Sequence, residues 1–281
     1  MSAKEDIFPI RRVLVALDPL GESEAVLESA LDLASRLGAE LVGLFIEDES
    51  LLHLAGFPFV RQFDPRTGAE RPVESGELER ALRSRASRAR GEFEVRCEGE
   101  NVKWSCRVLR GEVGPEVAQA PGKADILVLG KTSRAIPSKT GLGSTARLAI
   151  ERAASPVLLV EEAARVLPPV TTVYDGSQAS LRAVQTALQM AEPGWPLTVL
   201  ASGRSAKECG RLEKQIAPIL AKAPQRAALR LVAGTSTASL VEAIRESAAR
   251  TLVVGHGGLL AKDLASDGLL ERLGCTVLLV R

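Results

Sequence analysis

The sequence predicts an α/β protein with two tandem doubly wound domains, each a five-stranded parallel sheet with helices on both faces. Three observations carry this prediction. Short apolar runs alternate with segments of helical period, the alternation occurs twice, and 281 residues with 46% hydrophobic and 25% charged residues suffice for two globular domains. Apolar strands that alternate with helices form right-handed βαβ units, which build a parallel sheet buried on both faces.

The elements of the first half are predicted from the spacing of their apolar residues. Runs rich in β-branched residues indicate strands, and apolar residues repeated every three to four positions indicate helices. The strands lie near 12–17, 41–46, 103–109, 126–129 and 157–160. The helices lie near 22–37, 77–93, 112–120 and 144–153.

The second half repeats the first, which indicates two copies of one domain. The matching positions are Asp18 and Asp175, then 127–130 and 252–255, then 157–160 and 277–280. The second half lacks 32 residues before the second match and five more before the third. The predicted domains are 1–163, with an extra segment at about 50–76, and 168–281; a polar stretch with a proline pair separates them.

Composition excludes several classes of protein. No apolar run approaches the roughly 20 residues of a membrane span, and the first residues contain no apolar signal core, so we expect a cytoplasmic protein with no membrane partner. Four cysteines without a CxxC pair indicate neither a disulfide framework nor a zinc site. His53 and His256 have no partner at a diagnostic spacing, so we expect no metal site and no catalytic residue.

The arginines of the predicted helix 77–93 resemble a nucleic-acid-binding stripe. The apolar face of that helix explains them more simply as its solvated sides. The face consists of Leu78, Leu82, Ala86, Ala89 and Phe93. Because the net charge is only +1, we expect no nucleic-acid partner.

A candidate anion site lies where the first and fourth strands end. In an open parallel sheet the ligand binds at the carboxyl ends of the strands, where the strand order reverses. If these two strands are neighbours, Asp18 and Gly130 stand on the two sides of the crevice. Gly143, Ser144 and Thr145 begin the next helix, and the amides and hydroxyls of a helix start suit an anion.

The loop after the fourth strand is basic, and it is not a Walker A loop. No acidic residue occurs from 126 to 150. The trio Gly130-Lys131-Thr132 matches the end of GxxxxGK[ST], but Asp125 stands where that motif needs its first glycine. The charges that could contact a phosphate are Lys131, Arg134, Lys139 and Arg147.

Over essentially the whole chain, these residues resemble the universal stress protein family, and the duplication is similar to its tandem members. The shared features are the strand that ends in Asp18, the glycine-containing loop after the fourth strand and the closing Val-Leu-Leu-Val strand. The resemblance implies the strand order 3-2-1-4-5 in each domain. It also implies a site for ATP or another adenine nucleotide such as AMP, with or without magnesium. The implied phosphate-loop residues are Gly130, Ser133, Gly143, Ser144 and Thr145, with Asp18 near the base and Ile46 beside the adenine.

The first half departs from the family pattern at two positions. Ser133 stands where the pattern has its second glycine, but it keeps the backbone N–H and adds a hydroxyl. Pro19 follows Asp18 and removes one backbone donor. We therefore interpret the loop as weakened and not abolished.

The second half is predicted to be a degenerate copy that binds no nucleotide. Its glycine spacing matches superficially, but the alignment of Glu271 with Glu151 makes its loop five residues shorter. Leu269 and Leu270 follow the last glycine of that loop, so no hydroxyl stands at the helix start. The remaining match to the family pattern is Asp175-Gly176-Ser177. A lone Asp-Gly-Ser sequence is more often a simple turn than part of a nucleotide site.

Three functions remain open after these exclusions. The first is a stress-response regulatory protein that binds an adenine nucleotide in the first domain, as the resemblance implies. The second is a protein-interaction scaffold with both sites empty and an unknown protein partner. The third is an enzyme such as a nucleotide hydrolase. It is disfavoured because no paired carboxylates or activated nucleophile stand near the loop, although weak ATP hydrolysis stays open.

Two expectations concern assembly. Apolar edge strands invite pairing, so we expect residues 157–160 and 277–280 to pair antiparallel as an internal pseudo-dimer. The extra segment at about 50–76 begins at the crevice and contains three of the six phenylalanines. Its role is left open between a lid over the ligand, a flap on its own domain and a partner surface, for example for a homodimer of the whole chain.

Overall fold

The first half alternates strands and helices as the sequence predicts. The computed structural model describes residues 10–17, 24–57, 59–63, 68–120, 124–131, 142–161, 166–223, 226–264 and 269–281. In chain order the elements are β1 (Arg12–Leu17), α1 (Glu24–Leu37), β2 (Glu40–Asp48), α2 (Glu49–Ala55), β3 (Arg61–Phe63), β4 (Glu70–Pro72), α3 (Ser75–Glu98), β5 (Trp104–Gly111), α4 (Val113–Gln119), β6 (Ile126–Gly130), α5 (Ser144–Arg152) and β7 (Val157–Val160). Helix α3 ends at Glu98, five residues beyond the predicted end at Phe93, because Cys97 continues the buried face to which Phe93 belongs.

The second half repeats this alternation without the insert. Its elements are β8 (Val170–Tyr174), α6 (Gln178–Met190), β9 (Leu197–Gly203), α7 (Ala206–Lys222), β10 (Ala227–Ala233), α8 (Thr237–Glu246), β11 (Thr251–Gly255), α9 (Ala261–Leu264), α10 (Leu269–Leu273) and β12 (Thr276–Val280). Ser177, Ser205 and Ser236 each accept a hydrogen bond from the amide three residues later. These N-caps fix the starts of α6, α7 and α8.

Ten of the strands form one sheet. Its order is β10-β9-β8-β11-β12-β7-β6-β1-β2-β5, and neighbouring strands are parallel except β12 and β7. Counted within each half, the order is strand 3, 2, 1, 4, 5. The predicted fold class, an α/β protein with tandem doubly wound sheets, is confirmed.

The two halves join through an antiparallel pair of strands, β7 and β12, which we call the seam. Leu158 stands opposite Leu278 at the centre of its register, and both side chains are 0% exposed. The two strands that the sequence led us to expect side by side are therefore neighbours. The sheet continues from one half into the other with no free edge between them.

Each face of the sheet carries an apolar core that both halves share. On one face α5 packs with α8 and α10 around Leu159 and Leu279. On the other face α1 and α3 pack with α6 around Leu158 and Leu278. The guanidinium of Arg36, in α1, also lies 4.8 Å from the ring centroid of a second-half tryptophan, Trp195. The first half thus packs against the second half on both faces of the sheet.

Candidate functional site

The sheet of the first half changes direction between β1 and β6. Strands β2 and β5 continue it beyond β1, and β7 continues it beyond β6, so the carboxyl ends of β1 and β6 form a topological switch point. Strand β1 ends at Leu17, and β6 ends at Gly130. Four predicted site residues lie outside the described residues: Asp18, Ser133, Arg134 and Lys139.

Ile46 lies on the face of the sheet that α5 covers. The register pairs Leu17, the last residue of β1, with Phe45, and Ile46 is the next residue of β2. Its side chain is 7% exposed and belongs to the same apolar cluster as Leu142 and Ala146 at the start of α5. A buried apolar cluster therefore connects the end of β2 with the first turn of α5.

Helix α5 has a first turn without acidic residues. Its N-cap is Gly143, in an extended conformation, and no side chain among the described residues caps the turn. The Gly143 amide donates to the carbonyl oxygen of Lys131 at 2.8 Å, which closes the base of the loop between β6 and α5. Ser144 is exposed, and Thr145 and Arg147 are half-buried. The amides and hydroxyls of this helix start suit an anion.

The ammonium group of Lys131 is neutralised by Glu161. Lys131 directly follows β6 and is 4% exposed. Its Nζ atom lies 2.5 Å from Glu161 Oε2 and 3.4 Å from the carbonyl oxygen of Leu270 in the second half. The sequence predicts Lys131 as one of the charges that contact a phosphate. The geometry differs, because this charge has a carboxylate partner and reaches into the other half.

Asp125 anchors the start of β1. Its Oδ2 atom accepts hydrogen bonds from the amides of Arg11 at 2.6 Å and Arg12 at 2.9 Å. The position at which a Walker A motif needs glycine thus holds a carboxylate that ties the start of β6 to the start of β1. The chain has no Walker A loop here, as the sequence indicated.

Asp175, the second-half counterpart of Asp18, is bonded within its own domain. Its Oδ1 atom accepts the amide of Ser177 at 2.9 Å, and Oδ2 accepts the amide of Leu259 at 3.1 Å. Burial by itself would raise the pKa of Asp175, but hydrogen bonds, above all from Ser177, outweigh burial and lower that pKa. Because Ser177 also caps α6, this stretch forms the turn that the sequence suggested.

The chain after β11 fills the second crevice. Gly255 lies so close to α6 that an added Cβ would clash with the carbonyl group of Ala179. Four leucines of this segment are at most 3% exposed: Leu260, Leu264, Leu269 and Leu270. Gly268, which matches the family spacing only superficially, lies outside the described residues. The segment that corresponds in sequence to the basic loop of the first half therefore buries apolar side chains.

The insert of the first half packs on its own domain. Helix α2 begins directly after β2 with Asp48 as its N-cap, and the insert lines a groove of about 380 Å³ against α3. The lining is mostly apolar, with two arginines and two glutamates. Beyond the groove, Phe57, Phe59 and Phe63 are 50%, 75% and 59% exposed. Of the three roles considered for the insert, packing on its own domain is the one that the described residues show. The side chains of Phe57, Phe59 and Phe63 form an apolar surface that faces outward.

Metal and membrane features are absent from the part of the chain that the structure describes. No three His, Cys, Asp or Glu side chains in those ranges lie close enough to hold a metal ion. No helix there is long and apolar enough to cross a membrane. The free thiols of Cys97, Cys209 and Cys275 are buried and pack as small apolar groups.

The sequence matches one protein-family model. Residues 9–161 match the model described as the Universal stress protein family. No curated protein matches the chain at a significant level. The matched range contains every predicted site residue of the first half.

Solved structures share this fold over nearly the whole chain. A universal stress protein from Archaeoglobus fulgidus is 18% identical, with 98% of this chain and 97% of that chain covered and a TM-score of 0.72. A functionally unknown protein from Pseudomonas aeruginosa is 13% identical, with 96% and 92% covered and a TM-score of 0.53. A universal stress protein solved in complex with cAMP is 19% identical, with 54% and 98% covered and a TM-score of 0.31. At these identities the likeness to the first two structures shows the fold alone.

Proposed function

Because the chain belongs to the universal stress protein family, we propose that it is a stress-response regulatory protein that binds an adenine nucleotide, ATP or AMP, in its first half. The observation that carries the proposal is the meeting of Ile46 and the first turn of α5 on one face of the switch-point crevice. Ile46 offers an apolar surface, and the helix start offers amides and hydroxyls. A base and its phosphates need these two kinds of contact.

The phosphates bind, in this proposal, at the N-terminus of α5. A helix N-terminus carries roughly half a positive charge and several free amides. Arg147 lies one turn into the helix and adds a basic side chain on the same element. The loop residues that complete the cradle are Gly130, Ser133, Gly143, Ser144 and Thr145, with Arg134 and Lys139 as further charges.

The adenine packs on Ile46. Asp18, which lies outside the described residues, is assigned in this proposal to the same end of the ligand, as the family resemblance implies. Its carboxylate can accept a hydrogen bond from an exocyclic amine or a ribose hydroxyl. Magnesium would enter with the phosphates, which supply the oxygen ligands that it prefers.

The second half binds no nucleotide in this proposal. The carboxylate of Asp175 already accepts two backbone amides, including that of Leu259 from the loop that a ligand would have to displace. The segment that follows Leu259 also buries four leucines. A phosphate there would lose its hydration without gaining a polar partner.

Calorimetric titration of the full-length protein with ATP, with and without magnesium, tests the proposal. We expect one site per chain with a Kd below about 1 mM. The double variant Gly143→Val/Ser144→Ala should lose binding, because it crowds the N-cap backbone and removes a hydroxyl. Ser236→Ala is the matched control: it removes a second-half N-cap at a cost of about 1 kcal/mol and should bind ATP normally. No heat at millimolar ATP, or equal binding by both variants, would contradict the proposal.

A second candidate is the interaction scaffold with both sites empty. The outward phenylalanines of the insert favour it, because exposed aromatic side chains are frequent at protein interfaces. The two functions differ in the nucleotide content of the purified protein, which chromatography of a denatured sample measures. We also propose that the protein is not an enzyme; ATP-dependent phosphate release that the double variant abolishes would show otherwise.

A further inference from the structure

We propose that Arg281, a second-half residue, positions α5 for nucleotide binding, and that Lys131 makes the reciprocal contact from the first half. This inference rests on the proposed function, because α5 begins at the proposed phosphate site. It gives the second half a part in binding although that half holds no ligand. Arg281 is a positioning residue in this scheme, since it lies at the opposite end of the helix from the phosphates.

Arg281 reaches across the seam to the C-terminus of α5. Its NH2 atom donates to the carbonyl oxygen of Ile150 at 2.5 Å and to that of Ala149 at 3.1 Å. The carbonyl oxygen of Ala149 also accepts the amide of Ala153, the C-cap residue. The last carbonyl groups of a helix form its negative end, and a cation there complements the helix dipole. The guanidinium therefore fixes the end of α5 opposite to Gly143.

Lys131 makes the equivalent contact in the other direction. Its Nζ atom lies 3.4 Å from the carbonyl oxygen of Leu270 in α10. The alignment of the two halves that pairs Glu151 with Glu271 also pairs Ile150 with Leu270. The same helix carbonyl in each half thus receives a cation from the opposite half, although the two cations come from different strands.

These two contacts lie at the two ends of the segment that consists of the proposed phosphate loop and α5. Lys131 begins the loop, and its carbonyl group accepts the amide of Gly143, the N-cap of α5. Arg281 holds the far end of the same helix. A phosphate that draws on the α5 amides needs that helix in a fixed position, so the second half lowers the cost of ordering the site. Coupling of this kind is reciprocal, so a bound nucleotide should stabilise the pairing of β7 with β12.

Replacing Arg281 tests the inference in the full-length protein. We expect Arg281→Gln to weaken ATP binding about fivefold or more in calorimetry. Arg281→Lys, which keeps a cation, should recover part of the affinity. The matched control is Arg245→Gln, because Arg245 donates to the carbonyl oxygen of Arg272 at 2.8 and 3.0 Å entirely within the second half. This control should bind ATP as the wild type does.

Hydrogen exchange supplies a readout that a loss of stability alone would not produce. In the wild type, ATP should slow amide exchange in β12 and α10, which contribute no residue to the proposed site. In Arg281→Gln, ATP should no longer slow it, while in Arg245→Gln the effect should persist. Melting temperatures of all variants show whether they remain folded under the conditions of the titration.

The possible outcomes separate the inference from the proposed function. If the wild type binds no ATP, the proposed function fails and the inference fails with it. If the wild type binds ATP and Arg281→Gln binds equally well, only the inference fails. Equal weakening by Arg281→Gln and Arg245→Gln would also overturn it, because the effect would then follow from general destabilisation. Weakening confined to Arg281→Gln, with loss of the exchange response, supports it.

Discussion

The carboxylate of Asp175 shows at the scale of one residue how the second site is closed. In the first half the equivalent strand is followed by Asp18, which the proposed function assigns to the nucleotide. In the second half the carboxylate accepts the amides of Ser177 and Leu259. A ligand that bonded to Oδ2 of Asp175 would compete with the amide of Leu259. The same residue type at the same position therefore holds the loop in place.

Replacing Asp175 with asparagine should destabilise the protein by about 1–3 kcal/mol near neutral pH, because one of the two amides loses its acceptor. The pKa of Asp175 in the folded protein lies below its ordinary value of 3.8. The stability that the charged form contributes is thus fully present above pH 3.8 and is lost as the pH falls through the folded pKa. Urea unfolding of both proteins should show their difference shrinking below that pH.

Glu213→Gln is the control for this experiment. Glu213 is an exposed carboxylate of α7, so its replacement should cost little at either end of the pH range. A difference between wild type and Asp175→Asn that stays constant down to strongly acidic pH would argue against a role for the ionised carboxylate.

At the scale of elements, Gly255 fixes the approach of β11 to α6. Replacing Gly255 with alanine should destabilise the protein by about 1–3 kcal/mol, because the new Cβ would meet the backbone of Ala179 and neither strand nor helix can shift freely. Gly210→Ala is the matched control. An added Cβ at Gly210 in α7 meets nothing within 4 Å, so that change should stabilise by about 0.5–1 kcal/mol. Thermal unfolding measures both, and equal effects would contradict the predicted clash.

Most elements could be predicted from the sequence because their determinants are local. Strand β7 is entirely apolar, and a proline precedes it. The start of α5 could be predicted as well, since Gly143, Ser144 and Thr145 suit the first residues of a helix. The five-residue deletion indicated a degenerate second site, but the bond from Leu259 to Asp175 joins residues 84 positions apart and follows no spacing rule.

The contacts of Lys131 and Arg281 could not be predicted for the same reason. They join residues 139 and 131 positions apart, on different halves of the chain. Seen locally, Lys131 is one of several bases in an acid-free loop, and a phosphate partner was the natural interpretation. The direction in which the Lys131 side chain extends depends on where the second half packs.

At the scale of the whole molecule, the ten-stranded sheet has a buried centre and two exposed ends. The seam strands are fully buried, whereas Val108 in β5 and Leu231 in β10 are 45% and 48% exposed. Burial of apolar strands at the centre therefore contributes to the stability of both halves at once. The outer strands contribute mainly to their own half.

A lysine in each seam strand should separate the halves. We expect Leu159→Lys/Leu279→Lys to lower the melting temperature strongly and to expose the connection at 161–169 to proteases, because both side chains are 0% exposed and their charges would have no partner. Val108→Lys/Leu231→Lys places the same charges on the outer strands and should change little. Unchanged melting and proteolysis of the seam variant would show that the halves do not depend on this pair.

The covalent link between the halves changes how their association responds to dilution. Two separate subunits part when their concentration falls, but tethered partners experience a fixed local concentration, of the order of millimolar for a short linker. The seam should therefore stay closed at any protein concentration in the cell. Tethering also allows the two halves to differ in sequence. A substitution in a homodimer alters both sites, whereas here the second half could acquire buried leucines after β11 while the first half kept its basic loop.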